Sequence, residues 1–398
     1  MNRKFRFPRR AGLFAALLLV VFVLSSCTGA RLEATWGNLS LTGNPATIVF
    51  PFYDRIVMLD PVTGQPVQLV DNDGNTRLDD QGNPRIWEVP DSGQRSAQAQ
   101  FYTAPMQLDD NTLLFASYAG RLYEVDVTTG RINNGTGTPM GGQSVGNPLL
   151  ANGTIYLGYN QGDMQALDAN NSTFPPIWTL DTEHGIYGQP ILLDGTIYTA
   201  SLDHNLYALD AETGEQQWMT DLNGAITSAP ALSANNDALY VGSFANALYK
   251  VSLDGQIVSS VPASNWVWGT PAVSGDMVYF GDVSGNLYAA QDTGDALQLV
   301  WGPVPVAKNA IVATPLVTDG ALIVGSRDKN VYWVDPSNGS VLQTRETKGE
   351  ILGNMLILEP SDSVPVGEPT LVVSTMAHEE LVIAFSLDNG ERLWAYSR

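Results

Sequence analysis

The sequence predicts an all-β chain: an eight-bladed β-propeller of four-stranded antiparallel blades, set behind an N-terminal export segment. Three observations predict it. A short phrase recurs eight times: IVMLDPVTG from Ile56, LYEVDVTTG from Leu122, MQALDANNS from Met164, LYALDAETG from Leu206, LYKVSLDG from Leu248, LYAAQDTG from Leu287, VYWVDPSNG from Val331 and VIAFSLDNG from Val382. A second series, a small residue two places before a proline, runs in phase with it as TAP, GNP, GQP, SAP, GTP and ATP from positions 103, 146, 188, 228, 269 and 313. Trp87, Trp178, Trp218, Trp301 and Trp394 close five of the units. Self-similarity at a spacing near 42 residues is the mark of stacked repeats that bury a core only against one another.

Residues 1–26 form a lipoprotein signal peptide on this reading. Arg3, Lys4, Arg6, Arg9 and Arg10 make a basic start, and Ala11 to Leu24 is a run of 14 non-polar residues, short for a spanning helix. The run ends in Leu24-Ser25-Ser26-Cys27, which matches the bacterial lipobox, where cleavage precedes the cysteine and the thiol takes lipid. An ordinary signal peptide or an uncleaved anchor is the alternative; that the only cysteine falls at the lipobox position favours lipidation of Cys27. Residues 27–35 are then a lipidated linker and 36–398 the propeller. Thr28, where an Asp is absent, points to the outer membrane in a host with two membranes, and otherwise to the outer face of the cytoplasmic membrane.

Charge and cysteine content bound the partners. Removing the five basic residues of the leader from the net charge of −21 leaves −26, which argues against nucleic acid and against adsorption to anionic lipid. Membrane contact is expected through the lipid alone. One cysteine makes no disulfide within the chain, so stability must come from the core.

Within a unit the pattern is four short strands, as HGIYGQPILL, GTIYTASL, NLYALDA and EQQWMTD in the fourth. Runs rich in Ile, Val, Leu and Tyr alternate with Gly, Asp and Asn, and no long segment has helical periodicity. Asp60, Asp126, Asp168, Asp210 and Asp335 open the turn before the last strand. Asp can accept from amides just ahead of it, and Gly64, Gly130, Gly214 and Gly339 take positive φ cheaply, so these aspartates are turn formers. The first strand converges on the axis, where small residues let backbones approach. The outer strand needs bulk in the widening gap, and the five tryptophans are the expected inter-blade wedges. No strand is left over to be shared, so ring closure is expected by face packing of the first and last blades, though residues 28–35 could still pair with an edge.

Ala208, Asp210, Thr213, Gly214 and Trp218 resemble the tryptophan-docking repeat of PQQ-type propellers, and a lipobox ahead of such a ring resembles the BamB family of outer-membrane assembly lipoproteins. Blades 2, 5 and 7 lack the tryptophan. The resemblance implies a non-enzymatic scaffold, a monomer within a complex, that binds envelope proteins through rim loops. The quinoprotein dehydrogenases that share the repeat hold PQQ on the axis between a Trp and a vicinal disulfide, with Ca²⁺ and a catalytic Asp. A single cysteine forbids that disulfide, and no cofactor is expected.

Other chemistry is thinly signalled. His184, His204 and His378 fall at unrelated phases of the repeat, no zinc spacing or phosphate loop occurs, and no nucleophile-elbow pattern is present. In the insertion of the first unit, Asp71, Asp73, Asn75 and Asp79 sit at offsets resembling part of a calcium loop, but Gly74 comes early and Gly82 stands where a bidentate Glu belongs. A hairpin turning at Asp73-Gly74 is the favoured reading of that insertion, with a weak Ca²⁺ site and a protruding partner contact as alternatives. The residues before the proline series, Asn38, Ala104, Asn147, Gln189, Ala229, Thr270, Thr314 and Asn354, are candidates to line a polar channel. Trp36, Tyr102, Tyr187, Trp266 and Trp268 start inner strands, where they either pack between blades or form a rim patch for a protein or small ligand. Three functions follow: an envelope scaffold, a quinoprotein-like enzyme using the axial funnel, or a small-ligand sensor.

Overall fold

The computed structural model describes residues 38–71, 73–90 and 100–398. The signal peptide, Cys27, the linker 27–35 and Trp36 lie outside them. Among the described residues there is no helix, and thirty-two strands form eight antiparallel sheets of four. Each sheet holds four consecutive strands in chain order. Blade 4 is representative, with Ile191–Leu193 innermost, then Thr196–Ala200, Asn205–Asp210 and, at the outer edge, Gln216–Asp221.

Alternating strand direction sorts the connections onto two faces. Turns between first and second and between third and fourth strands lie on one, here the turn face. Loops between second and third strands meet the blade-to-blade loops on the other, the loop face. Backbone bonds tie the two kinds of loop together at each blade, as from Leu202 N–H to Gly185 O (2.9 Å) and from Val283 N–H to Trp266 O (3.0 Å).

The sheets are apolar on both sides and bury that surface only against neighbours. Eight hydrophobic clusters fill the eight junctions, one each. Leu39, Phe50, Val372 and Trp394 belong to the cluster that joins blades 8 and 1, so among the described residues the ring closes by face packing, with no shared strand.

One interaction is repeated around the ring. The indole N–H of an outer-strand Trp donates to a turn-face carbonyl of the next blade: Trp87 to Val127, Trp178 to Ala211, Trp218 to Leu253, Trp301 to Pro336 and Trp394 to Pro61, over 2.6–3.0 Å. The accepting residue follows the turn-forming Asp, or Ser252 in blade 5, whose side-chain oxygen accepts from amides of the turn; Asp210 Oδ1 accepts from Thr213 N–H (2.8 Å) and Glu212 N–H (3.0 Å), and Ser252 Oγ from Gln256 N–H (3.1 Å). The turn glycine is required twice over. Gly214 has φ +72°, and a Cβ there would lie 2.6 Å from the Trp178 ring; Gly255 and Trp218 repeat the arrangement at φ +88° and 2.7 Å.

The three blades without an outer Trp solve the junction differently. In blade 7 the bulk moves to the third strand: Trp333, paired with Gln343, donates to Leu387 O (2.8 Å) where other blades pair Ala with Trp. Between blades 2 and 3 the receiving blade supplies the wedge, Phe174, buried with Leu114 and Leu157. Between blades 5 and 6 the wedge is charged. Lys250 occupies the small-residue position and its Nζ donates to Asp292 (2.7 Å) and to Gly294 O (2.5 Å), while Tyr240 O–H donates to the other Asp292 oxygen. Burial pushes Asp292 up, but Lys250, Tyr240 and the Gly294 amide together outweigh it and hold the carboxyl below its ordinary range.

The insertion in blade 1 departs from a single hairpin. It contains two like turns eight residues apart, Asp71 to Asn75 and Asp79 to Asn83, each with a glycine at positive φ and an Asp accepting from two amides. The sequence carries this as a repeat, Val-Asp-x-x-Gly-Asn-x-Arg over 70–77 and Leu-Asp-x-x-Gly-Asn-x-Arg over 78–85. Leu69, Arg77 and Arg85 bond in a closed circuit, Arg77 N–H to Leu69 O, Arg85 N–H to Arg77 O and Leu69 N–H to Arg85 O, each 2.8 Å. A two-stranded hairpin offers only two partners; the third pass satisfies the edge.

Candidate functional site

Small residues at the axis are a packing requirement. A Cβ on Gly188 would meet the Ser228 backbone at 2.5 Å, and one on Gly269 would meet Val312 O at 2.7 Å, so each innermost strand rests on the backbone of the next. The residues that follow them are therefore turned toward one another around the axis.

Of the channel candidates, the structure joins five, four through side-chain amides and Ala104 through its backbone. Asn354 bonds Leu39 both ways, Leu39 N–H to Oδ1 (2.7 Å) and Nδ2 to Leu39 O (2.9 Å). Asn38 Nδ2 donates to Asn147 Oδ1 (2.9 Å), which also accepts from Ala104 N–H (2.8 Å). Gln189 Nε2 donates to Pro148 O (3.2 Å). An amide chain thus runs from blade 8 through 1, 2 and 3 to blade 4. Thr270 and Thr314, half-buried at the same phase in blades 6 and 7, make no side-chain hydrogen bond to it among the described residues. The series contains amides, hydroxyls and alanines and no carboxylate, so it supplies hydrogen bonds but no proton to move.

The described aromatic candidates, Tyr102, Tyr187, Trp266 and Trp268, lie on the loop face, in two groups. Tyr102 packs edge-on to Tyr118 (5.6 Å between ring centroids), and Gln100 Nε2 donates to Tyr53 O–H (3.2 Å). Burial first, then the neighbouring Tyr53 and Tyr118, pushes Tyr102 up to about 12; burial and Tyr118 also raise Tyr187, whose O–H donates to Asn160 (2.5 Å). Across the ring, Trp266 lies parallel on Phe244 (4.6 Å, 5°) with Trp268 tilted against the same ring at 5.4 Å. All seven aromatic side chains are half-buried, part packing and part rim. Phe244, Tyr53 and Tyr118 were not among the sequence candidates. They occupy one phase of the repeat, just after the second strand, and a reading of that phase finds them.

The calcium candidates do not converge. Asp71 and Asn75 share the first turn of the insertion while Asp79 heads the second, and the carboxylates of Asp71 and Asp79 are taken up by Asp73, Asn75, Gln81 and Asn83 amides at 2.8–2.9 Å. Those backbone bonds hold both carboxyls below the ordinary Asp value. Among the described residues no group of three or more His, Cys, Asp or Glu is placed to hold a metal ion.

Eight four-stranded blades, five of them wedged into the next by an outer-strand Trp, define a tryptophan-docked β-propeller with an amide-lined axis and an aromatic loop face. The chain belongs to the family of the outer membrane protein assembly factor BamB, whose model matches residues 41–220 and 202–398. The factor of that name from Yersinia pestis is 26% identical over 197 residues, 46% of this chain and 50% of that protein, so the match spans half the relative's length. Among solved structures, BamB from Moraxella catarrhalis superposes with a TM-score of 0.61 at 17% identity, over 88% of this chain and 98% of that one. The computationally designed Ika8 protein superposes with a TM-score of 0.63 at 16% identity, over 90% and 97%. At these identities the structural likeness is one of fold.

Proposed function

We propose that the protein is a non-enzymatic scaffold of the cell envelope, anchored by lipid on Cys27, that takes part in outer-membrane protein assembly by binding other envelope proteins through its rim loops. Family membership over nearly the whole propeller carries this reading. The lipobox at Cys27 supports export to the envelope, at the outer membrane in a host with two membranes. The axial series supports a binding role: amides bonded to one another and to backbone groups, with two threonine hydroxyls at the same phase, offer no acid–base pair, and a chain with one cysteine does not fit a quinone held against a vicinal disulfide. The protein then works without cofactor, as one monomer in a larger complex.

The stacked Phe244–Trp266 pair favours a second reading, a small-ligand sensor, because half-buried parallel rings on a rim are a platform for a planar or saccharide ligand. Gentle crosslinking of the lipidated protein in its own envelope, affinity capture and mass spectrometry separate the two. Recovery of the outer-membrane protein assembly machinery is the expected result. Protein that emerges alone, with a small molecule retained, moves the function to the sensor.

A further inference from the structure

The distribution of lysine on the propeller is uneven. The chain has five lysines: Lys4 lies in the leader, Lys250 is buried in the blade 5–6 junction, and Lys308, Lys329 and Lys348 remain. All three are exposed, and all three sit on the loop face, in the three loops that surround blade 7. These loops are bonded to each other. Lys308 N–H donates to Asp328 (2.7 Å), Arg327 N–H to Ala310 O (3.0 Å) and Thr347 N–H to Lys329 O (2.8 Å).

Nearby acids leave two of these cations unpaired. Arg327 pairs with Glu350 at 2.8 Å, and Lys348 approaches Glu379 only to 3.5 Å between side chains that are 54% and 80% exposed. Asp328 is engaged by Asn330, Tyr332 and the Lys308 amide. Lys308 and Lys329 have no ion pair among the described residues. The lysine-bearing arc, which also carries exposed Glu346 and Glu379, runs on into the aromatic one: Trp266 O accepts from Val283 N–H, Asn265 Nδ2 donates to Ser284 (2.9 Å), and Ala307 N–H donates to Gly285 O (3.0 Å) one residue before Lys308. Three blades before blade 7, the loop face around blade 4 presents Asp181, Glu183 and Asp221, all exposed.

We infer that the loop face from blade 5 to blade 8 is a docking surface for an acidic, apolar-bearing polypeptide segment of a partner protein, with Lys308, Lys329 and Lys348 taking its carboxylates and Phe244, Trp266 and Trp268 its apolar side chains. This rests on the scaffold reading and names the face and the chemistry it uses. A segment fits where a lipid surface does not. Pressing the whole face on anionic headgroups would drive the acidic arc around blade 4 against them, whereas a segment can lie along the lysine-bearing arc alone. On a chain of net charge −21, like-charge repulsion also keeps an acidic partner from the rest of the surface, so the patch selects as well as attracts.

The test uses the mature propeller, a synthetic peptide alternating Glu with Phe and Leu, its Lys-for-Glu counterpart, and vesicles of anionic phospholipid. The unmutated protein binds the acidic peptide in preference to the other two, and more weakly as salt rises from about 0.05 to about 0.3 M. Combined Lys308→Glu, Lys329→Glu and Lys348→Glu, all exposed and checked for fold by circular dichroism, weakens binding about tenfold or more, which three exposed ion pairs at the upper end of their usual range supply. Arg131→Glu on the turn face leaves it unchanged. No binding of the acidic peptide, equal binding by the triple variant, or vesicle binding that the peptide does not compete overturns the inference. Capture of the assembly machinery that the triple variant leaves unchanged overturns it while sparing the scaffold reading. Peptide binding without any such capture does the reverse.

Discussion

Tyr102 shows how a rim residue is held. Its phenol is pushed up to about 12 by burial and by Tyr53 and Tyr118 beside it, so the folded state prefers the protonated ring more than the unfolded chain does. Stability from this source is fully present below pH 10, the unfolded value, and is lost as pH rises from there through the folded value. Alkaline titration followed at the tyrosinate absorbance should therefore show a late-ionising fraction, with Tyr102→Phe removing part of it and extending the stable range upward. A Tyr102 that titrates with the bulk phenols would remove this account of the cluster. Single residues of this kind were half legible in the sequence. Tyr102 and Trp266 stood out as aromatics at inner-strand starts, but their partners Tyr118 and Phe244 lie in loops that only the folding of a blade and its docking on the next bring beside them.

At the scale of the blade, the wedge decides the design. The outer Trp was legible because bulk is needed at one phase, and the Asp-to-Gly turn because its bonds are local. What was not legible is the substitute used when the Trp is missing, since Lys250 and Trp333 act through residues of the next blade, 42 and 54 positions away. Lys250→Ala should cost about 3–5 kcal/mol, because it strands Asp292 in a site where the two side chains are only 5% and 12% exposed. That is comparable with the loss expected from truncating a buried wedge such as Trp178, about 3–5 kcal/mol. Denaturant unfolding of both variants checks the equivalence; a Lys250→Ala cost below about 1 kcal/mol would show that Phe280, Tyr288 and their neighbours hold the junction unaided. The second turn of the insertion was hard to read in the sequence for a related reason. Either turn alone satisfies the hairpin pattern, and the period of eight shows only when both are read together.

Over the whole molecule, the eight clusters form one closed circuit, and Trp394 of the last blade docks on Pro61 of the first just as the other outer-strand tryptophans dock on the blades that follow them. The blade count and the four-strand order were legible because each unit repeats its local signals. The polarity of the loop face was not, because lysines at positions 308, 329 and 348 become neighbours only once three loops are gathered around blade 7. Circular closure leaves the two faces as the surfaces free to differ, and they do: the turn face carries the docking turns and the insertion, the loop face the aromatics and the exposed lysines. On the proposed function, this loop face is where the outer-membrane protein assembly machinery docks. The most direct measurement is the affinity of the purified mature propeller for the captured assembly component in solution, with and without Lys308→Glu, Lys329→Glu and Lys348→Glu. The account predicts saturable one-to-one binding that the triple variant weakens about tenfold. Binding of equal strength by both proteins, or none by either, would contradict it.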